Sequence, residues 1–460
     1  MSLSLAVLSA RAEDQRPVEE AVAVLVSDAL AANLELDTAG AGVAERRAAL
    51  DQARARYLPS LDFEARYSRA SGGRSIDFPV GDLLNPVYAT LNQLTGSSHL
   101  APVANQRINF QRAREQDTRI TLTQPLYDPR ISASRAAAQS EFDASQAGRA
   151  ALSSRIERDM REAYYRWLQA RAQIGIFDAA LELAAENHRV NEVLFRNGKI
   201  TRDLVYRAEA DQLEVEQSML GARNTERLAQ SYVNLLRHAP FDRALPVSAV
   251  EDGEERGAAA SVSLPLMQDA AVQHRPELRE LDALAAAAAA AERLAHAAFK
   301  PRLALALDAG SQGDTYRFGS DDRFVLASVV LRFNLFSGGA DQAGVAGARA
   351  AQREARDGRD RQEQQIRFEV QQALQDLQLT QASLGTAAKR VEAAAGAFHI
   401  ATRKRDLGQI NQAEFIDSRR ALTDAQLNLN LTRFSALSNL AQLEYALGSS
   451  ARHVPPEVQP

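Results

Sequence analysis

The chain has 460 residues, of which 45% are hydrophobic, 25% are charged and none is cysteine. The missing cysteine excludes disulfides, thiolate metal sites, a cysteine nucleophile and a lipid-anchored N-terminal cysteine. The net charge of −5, from 54 basic and 59 acidic residues, gives none of the basic field that nucleic-acid binding requires, and aromatic residues at 6% are scarce for the core of a compact enzyme.

Residues 1–12 have the features of a signal peptide. Leu3 to Leu8 form a short apolar run, and Ala10-Arg11-Ala12 matches the small-x-small cleavage pattern. The basic region that normally precedes the apolar run is missing, so an ordinary helix start is the alternative. We expect an exported protein whose mature chain begins near Glu13.

The rest of the chain repeats itself. In similar motifs, 242 positions separate Pro59 from Pro301, whereas 209 separate Leu126-Tyr127 from Leu335-Phe336 and 210 separate Gly198-Lys-Ile200 from Gly408-Gln-Ile410. The first copy therefore has about 33 extra residues, within a Gly-, Pro-, Asn- and Ser-rich stretch at 71–116 that predicts a long loop facing the cell exterior. The predicted organisation is a first repeat at 13–239, an equatorial linker at 240–263, a second repeat at 264–448 and a C-terminal tail at 449–460.

Each copy contains two segments in which apolar and polar residues alternate, the pattern of a strand with one apolar face. In the first of them, Leu61, Phe63 and Tyr67 alternate with polar residues. Segments of this kind are typical of outer-membrane barrel strands, although a soluble β-hairpin over a helical layer explains each one alone. The predicted strands are 61–68, 118–127, 303–309 and 324–336.

Long segments without proline follow each strand pair and predict helices of about 105 Å. Apolar residues stand seven apart along both, which predicts coiled-coil packing; they are Met160, Trp167, Ile174 and Leu181 in the first copy, and Val370, Leu377, Leu384, Val391 and Phe398 in the second. Glycine turns at Gly198 and Gly408 end both helices. The predicted helices are 17–56, 129–197 and 203–237 in the first copy, and 264–299, 338–407 and 413–447 in the second.

With these features the sequence resembles the TolC-like outer-membrane efflux and secretion channel family. The resemblance covers roughly 17–448 and rests on the duplicated unit, on Gln124-Pro-Leu-Tyr-Asp128 with its counterpart Asn334-Leu-Phe-Ser-Gly-Gly339, and on the two glycine turns. It implies a mainly α protein with β structure. Each protomer of a homotrimer gives four strands to a shared 12-stranded β-barrel, which continues as a long periplasmic α-helical coiled-coil barrel.

The resemblance also implies a gate, because in the family the helix turns farthest from the membrane converge on a constriction lined by acids. Glu414 and Asp417 stand at the matching positions after Gly408, three residues apart on one helix face. Six such carboxylates in a trimer would attract cations and repel anions. The alternative is that both are ordinary acids at a helix N-terminus.

Polar links between neighbouring coiled coils hold the family's constriction shut. Arg405 and Asp203 are the best partners here, with Arg202 and Thr201 nearby. The sequence departs from the family pattern in two places, since Ile410 and Leu204 occupy positions where an arginine and an acid are common. The turns at Gly198 and Gly408 are the expected docking points of an adaptor.

The predicted function is a trimeric outer-membrane channel that conducts substrate from an inner-membrane transporter and a periplasmic adaptor (membrane fusion) protein, in type I secretion or multidrug efflux. Outer-membrane lipid is a further partner. We expect no cofactor, no metal site, no catalytic residue and no bound nucleic acid. The alternatives are a periplasmic coiled-coil scaffold or adaptor without a pore, and a soluble cytoplasmic helical scaffold. An adaptor would have a single helical hairpin, whereas this chain has two.

Overall fold

A computed structural model describes residues 17–248, 263–315 and 319–448. The predicted signal peptide at 1–12, the tail at 449–460 and most of the predicted linker lie outside the described residues. In the described ranges, no helix is both long and apolar enough to span a membrane.

The described chain is mainly helical, with two long helices that each follow a pair of strands. The helices are α1 (Val18–Ala32), α2 (Leu34–Ala55), α3 (Val80–Thr95), α4 (Pro129–Arg196), α5 (Arg202–Leu236), α6 (Leu264–His274), α7 (Pro276–His296), α8 (Ala340–Asp406) and α9 (Gln412–Ala446). The strands are β1 (Ser60–Arg69), β2 (Ser75–Phe78), β3 (Gln106–Asn109), β4 (Arg114–Tyr127), β5 (Arg302–Gly313) and β6 (Arg323–Arg332).

The chain forms two compact units, and each draws on both halves of the sequence. The helical unit comprises the described parts of Met1–Ala48, Gln139–Ala288 and Ala350–Pro460. The strand unit comprises Ala49–Ala138 and the described parts of Ala289–Arg349.

The strand unit contains a four-stranded antiparallel sheet of order β1-β4-β5-β6, with β2 and β3 in a separate two-stranded antiparallel sheet. Directly opposed residues of antiparallel strands share a face. One such row is Phe63, Ile120, Ala309 and Val325, and the next apolar row is Leu61, Leu122, Leu307 and Ala327. The face that these rows form is apolar and largely uncovered, since Phe63 is 71% and Val325 81% exposed.

The opposite face of the sheet is polar. The Arg119 guanidinium donates to Glu64 at 2.8 Å, and the Thr121 hydroxyl donates to Asp308 at 2.5 Å. Among the described strands, β1 and β6 each pair with a single neighbour, so that the sheet has two open edges. An open edge presents unpaired backbone N–H and C=O groups that water or another strand must satisfy.

The last predicted strand, 324–336, is too long at its C-terminal end, because β6 stops at Arg332. The Asn334 amide and the Ser337 hydroxyl both donate to Asp341, in the first turn of α8. Gly338 also adopts a positive φ of 63°. The chain therefore turns here to start the helix.

The predicted long loop at 71–116 is wrong, because it contains β2, α3, β3 and the start of β4. The asparagines that indicated turns in the sequence instead bind α3 to the segment that follows it. Asn85 exchanges two hydrogen bonds with the backbone of Val103, at 3.0 and 2.8 Å, and Asn92 does the same with Leu100, at 2.8 and 3.2 Å. Both side chains lie on one face of α3, seven residues apart, and hold the following segment against it.

The predicted helices 17–56 and 264–299 are each broken at one extended residue, Asn33 and Arg275, which are equivalent in the two copies. In the second copy, Pro276 disfavours helical geometry in the residue before it. In the first copy, the Asn33 side chain accepts hydrogen bonds from the N–H groups of Glu35 and Leu36, at 2.9 and 3.1 Å, and caps the new helix.

Arg275 also joins three helices of the helical unit. Its buried guanidinium donates to Glu277 at 2.9 Å and to Glu369 at 3.1 Å, and it lies 4.6 Å from the centre of the Tyr445 ring. Burial favours a higher pKa for Glu277, but the hydrogen bond and charge of Arg275 outweigh it and hold that pKa below its ordinary value. The break after α6 is therefore anchored to α8 and α9.

The core of the helical unit is built on the predicted seven-residue repeats. Met160 and Trp167 are buried among residues of α1, α5 and α9, and Val370 and Leu377 are buried in a second cluster with α6 and α9. Tyr164 stacks on Trp167 with 5.6 Å between ring centres. The long helices are thus held by side chains of both copies.

Candidate functional site

The candidate site consists of the two helix turns, 197–201 and 407–411, and the first turns of the helices that follow. Gly198 and Gly408 have φ angles of 68° and 69°, a conformation that favours glycine. The next residue donates its N–H to the carbonyl five positions back, Lys199 to Leu194 at 2.9 Å and Gln409 to Lys404 at 2.8 Å. Both turns are therefore Schellman motifs with the same geometry.

The two turns differ in how they cap the following helix. The Asn411 side chain accepts a hydrogen bond from the N–H of Glu414 at 2.8 Å, whereas the Thr201 side chain makes no capping bond to α5. A side-chain cap is worth about 1 kcal/mol.

Asn411→Ala is expected to loosen the first turn of α9 by about 1 kcal/mol, or roughly fivefold in amide exchange rate. The matched change Thr201→Ala is expected to leave the first turn of α5 unchanged, because that hydroxyl makes no capping bond. Hydrogen–deuterium exchange of the two peptides measures both effects. Equal acceleration in both turns would contradict the assignment of Asn411 as a cap.

Glu414 and Asp417 both lie on the exposed face of α9. Their side chains make no hydrogen bond or ion pair with any described residue. Between them, Phe415 and Ile416 are buried, and the Phe415 ring lies 5.6 Å from that of Phe398 on α8. Because the buried residues fix the rotation of α9, the two carboxylates are held together on the uncovered side next to the turn.

The other predicted gate residues form no side-chain bond with one another within the described protomer. Arg405 donates to Asp406 at 2.9 Å and its guanidinium lies 4.4 Å from the centre of the Phe415 ring. Asp203 is exposed and has no ion-pair partner among the described residues. Within one protomer Arg405 and Asp203 form no bond, because the neighbouring acid and ring hold the arginine. The predicted link between neighbouring coiled coils stays a prediction.

Arg202 and Thr201 occupy the start of α5. The Arg202 guanidinium lies 5.4 Å from the centre of the Tyr206 ring, one turn along the same helix. Thr201 is the exposed residue before the helix, with extended backbone. Neither residue contacts α8 or α9 through a side-chain bond in the described chain.

Sequence reasoning missed a buried ion pair that joins α5 to α9. Arg419 donates to Asp211 at 2.8 Å, and their side chains are only 3% and 2% exposed. Arg420 reaches the same Asp211 oxygen at 3.3 Å and also binds Glu214. The second Asp211 oxygen and Arg419 Nε have no partner in the described chain. The available signal was Arg419 itself, a charge four residues after Phe415 on the buried face of α9.

A stripe of large apolar side chains runs along the opposite side of α5. Each of its members is more than half exposed, and they are spaced seven or eight residues apart: Tyr206, Leu213, Leu220, Leu228 and Leu235. Similar exposed side chains lie at multiples of seven residues on α8 and at its end: Leu379 and Ile400 on the helix, and Leu407 directly after it. Seven-residue spacing is typical of helices that pack on another helix, and no described residue covers these stripes.

Comparison with known proteins agrees with this architecture. A model of the outer membrane efflux protein family matches residues 25–237 and 267–449. No curated protein matches the chain.

Solved channel structures match the chain over nearly its full length. The Campylobacter jejuni CmeC outer membrane channel is 16% identical, with a TM-score of 0.76 over 94% of this chain and 86% of CmeC. Vibrio cholerae VceC is 21% identical, with a TM-score of 0.76 over 93% and 96%. The open state of the Neisseria gonorrhoeae MtrE channel is 18% identical, with a TM-score of 0.75 over 93% and 88%. The predicted fold class, mainly α with β in a duplicated arrangement, is thereby confirmed for the protomer.

Proposed function

The chain belongs to the outer membrane efflux protein family, and we propose that three copies of it form one channel that receives substrate from an inner-membrane transporter through a periplasmic adaptor. The family places the protein in the outer membrane with an extension into the periplasm, and its members are channels and not enzymes. Type I secretion and multidrug efflux are the two routes that the proposal includes.

The four-stranded sheet is the observation that supports the proposal most strongly. Its uncovered apolar face suits lipid, and its polar face, with Arg119, Glu64, Thr121 and Asp308, suits a water-filled lumen. In lipid, the open edges of β1 and β6 would leave backbone groups unsatisfied. Pairing β1 of one protomer with β6 of the next closes three sheets into a 12-stranded barrel without edges.

The exposed stripes support the same closed arrangement for the helices. In a ring of identical subunits, one surface of each copy contacts a different surface of the next. The α5 stripe and the exposed apolar side chains of α8 are two such surfaces on one protomer. We propose that they meet between neighbours and build the helical barrel.

At the turns, we propose that Glu414 and Asp417 of three protomers form a ring of six carboxylates around the pore. Both are uncovered and unpaired within the protomer, which leaves their charges available to the lumen. The exposed turns at Gly198 and Gly408 are the proposed docking points of the adaptor.

Neutralising both acids as Glu414→Gln with Asp417→Asn is expected to lower the cation-over-anion permeability ratio several-fold, because the ring loses all six charges. Reversal potentials in planar bilayers under a salt gradient give this ratio. Glu392→Gln is the matched control, since it removes one exposed acid from α8 farther from the turn. Unchanged selectivity would show that the two acids are ordinary residues of a helix N-terminus. Absence of any conductance in the unsubstituted protein would favour a scaffold without a pore.

We further propose that 13–239 and 264–448 are two copies of one unit joined by the linker at 240–263, and that residues 1–12 are removed on export. The equivalent helix breaks at Asn33 and Arg275 support the duplication, as do the equivalent turns at Gly198 and Gly408.

A further inference from the structure

Two arginines that the proposed function does not use lie opposite each other at one end of the four-stranded sheet. Arg302, the first residue of β5, is the register partner of Arg332, the last residue of β6. Directly opposed side chains of antiparallel strands have their Cβ atoms about 5 Å apart, and like charges at this distance destabilise the strand pair. A bound anion would remove this repulsion.

Both arginines lie on the polar face of the sheet. Side chains alternate along a strand, so Arg302 shares a face with Asp308, six residues away, whose carboxylate binds Thr121. The helices before β1 and β5 end, and the helices after β4 and β6 begin, at this same end of the sheet. In the channel proposed above the polar face lines the lumen, so the two arginines lie where the strands meet the helices.

No acid of the described chain neutralises this pair. Neither guanidinium makes an ion pair or a side-chain hydrogen bond with a described residue. The other two arginines on the polar face do have acidic partners, since Arg66 binds Asp117 at 3.4 Å and Arg119 binds Glu64 at 2.8 Å. The opposed arginines therefore differ from the rest of the face in having no acid bound to them.

The acids closest in sequence to these strand ends are engaged elsewhere. Asp128 follows β4 and accepts a hydrogen bond from a backbone N–H two residues on, at 2.9 Å, and Asp341 accepts one from the Asn334 amide at 2.7 Å. Along β5, the first acid on the same face is Asp308, about 20 Å from Arg302 along the strand. Among the described residues, this end of the polar face thus has two positive charges without an acid to balance them.

We propose that Arg302 and Arg332 of three protomers form a ring of six arginines in the lumen, which binds solutes with several phosphate, sulfate or carboxylate groups. The proposal rests on the trimeric channel proposed above. A 12-stranded barrel with strands about 4.8 Å apart and a tilt of about 40° has a radius of roughly 12 Å. Arginine holds its guanidinium on a long stem and binds phosphate and carboxylate through two donors, so that the ring surrounds a multivalent anion on the axis.

Block of the channel current by inositol hexakisphosphate, a compact polyanion, tests the ring. In planar bilayers, the polyanion added on the side of the outer strand ends is expected to reduce the current through the unsubstituted trimer, whereas uncharged myo-inositol is not. Arg302→Gln with Arg332→Gln is expected to raise the half-blocking concentration at least tenfold, because the ring loses all six charges. Added salt is expected to weaken the block in the unsubstituted protein, since it screens the arginines.

The sheet offers a matched control in a second pair of opposed arginines. Arg69 and Arg114 are register partners and exposed, but they share the apolar face with Phe63 and lie at the other end of the sheet. Arg69→Gln with Arg114→Gln therefore removes the same number of charges away from the lumen. This variant is expected to be blocked like the unsubstituted protein.

Calorimetric titration of the detergent-solubilised trimer gives a second readout that needs no variant. One inositol hexakisphosphate is expected to bind per three chains, because the ring has a single axis. A conducting trimer that the polyanion does not block, equal loss of block in the two double variants, or three polyanions per trimer overturns the ring. A protein that forms no trimer or conducts no current overturns the channel proposal instead, so the two failures are distinct.

Discussion

Arg419→Met is expected to destabilise the protein by about 3–5 kcal/mol, because it leaves the Asp211 carboxylate buried without its main partner. One Asp211 oxygen already has no hydrogen bond in the described chain, so the site has no further donor that could replace the lost guanidinium of Arg419. The midpoint of urea unfolding of the detergent-solubilised protein, followed by circular dichroism, measures the loss.

Two further variants separate the buried pair from ordinary surface charge. Arg420→Met removes a guanidinium that is 45% exposed and is expected to cost less than about 1 kcal/mol. Asp211→Leu combined with Arg419→Met removes both charges and is expected to recover most of the lost stability. Equal destabilisation by Arg419→Met and Arg420→Met would contradict a dominant buried pair between α5 and α9.

Leu213→Asp with Leu220→Asp is expected to convert the trimer into monomers. Each leucine that packs against a neighbouring protomer contributes about 1.5–3 kcal/mol, and the substitution adds a carboxylate that must lose its water. With two positions at each interface, the expected loss is about 3–6 kcal/mol per interface before the cost of the buried carboxylates is added. Sedimentation velocity of the detergent-solubilised protein separates the two states.

Thr225→Asp is the control, because it adds one carboxylate at an exposed position on α5 to one side of the stripe. It is expected to leave the trimer unchanged. A trimer that survives both stripe substitutions would show that α5 faces solvent or lumen and that another surface holds the protomers together.

The sequence predicted the regular parts of the fold because their patterns are repeated. The seven-residue spacing that includes Met160, Trp167, Val370 and Leu377 marks side chains that the structure buries, and the glycine turns end both long helices. Each pattern occurs in both copies, so that one copy supported the interpretation of the other.

Elements present in only one copy were missed. In α3, the side chains of Asn85 and Asn92 bind the backbone of the segment that follows the helix. The abundance of asparagine in a stretch does not distinguish such hydrogen bonds from those of a turn. The Asp211–Arg419 pair also has no equivalent, since the offset of 210 residues places Ala421 and Glu209 at the matching positions. Such contacts depend on which helices pack against each other, and the spacing of residues within one helix does not contain that information.

At the site, the three-residue spacing of Glu414 and Asp417 determines that they share a helix face, whereas the exposure of that face follows from the burial of Phe415 and Ile416. For Arg405, the structure shows contacts that the spacing did not indicate, to Asp406 and to the Phe415 ring, and its link to Asp203 between neighbouring coiled coils stays a prediction.

The central claim is that this chain forms a trimeric channel in the outer membrane. The most direct test is to fractionate expressing cells and determine the mass of the detergent-extracted protein by light scattering. After the detergent mass is subtracted, we predict an outer-membrane species with three times the mass of the mature chain, which is the 50.1 kDa of the full sequence without residues 1–12. A soluble periplasmic monomer or dimer would contradict the account and leave a coiled-coil scaffold without a pore.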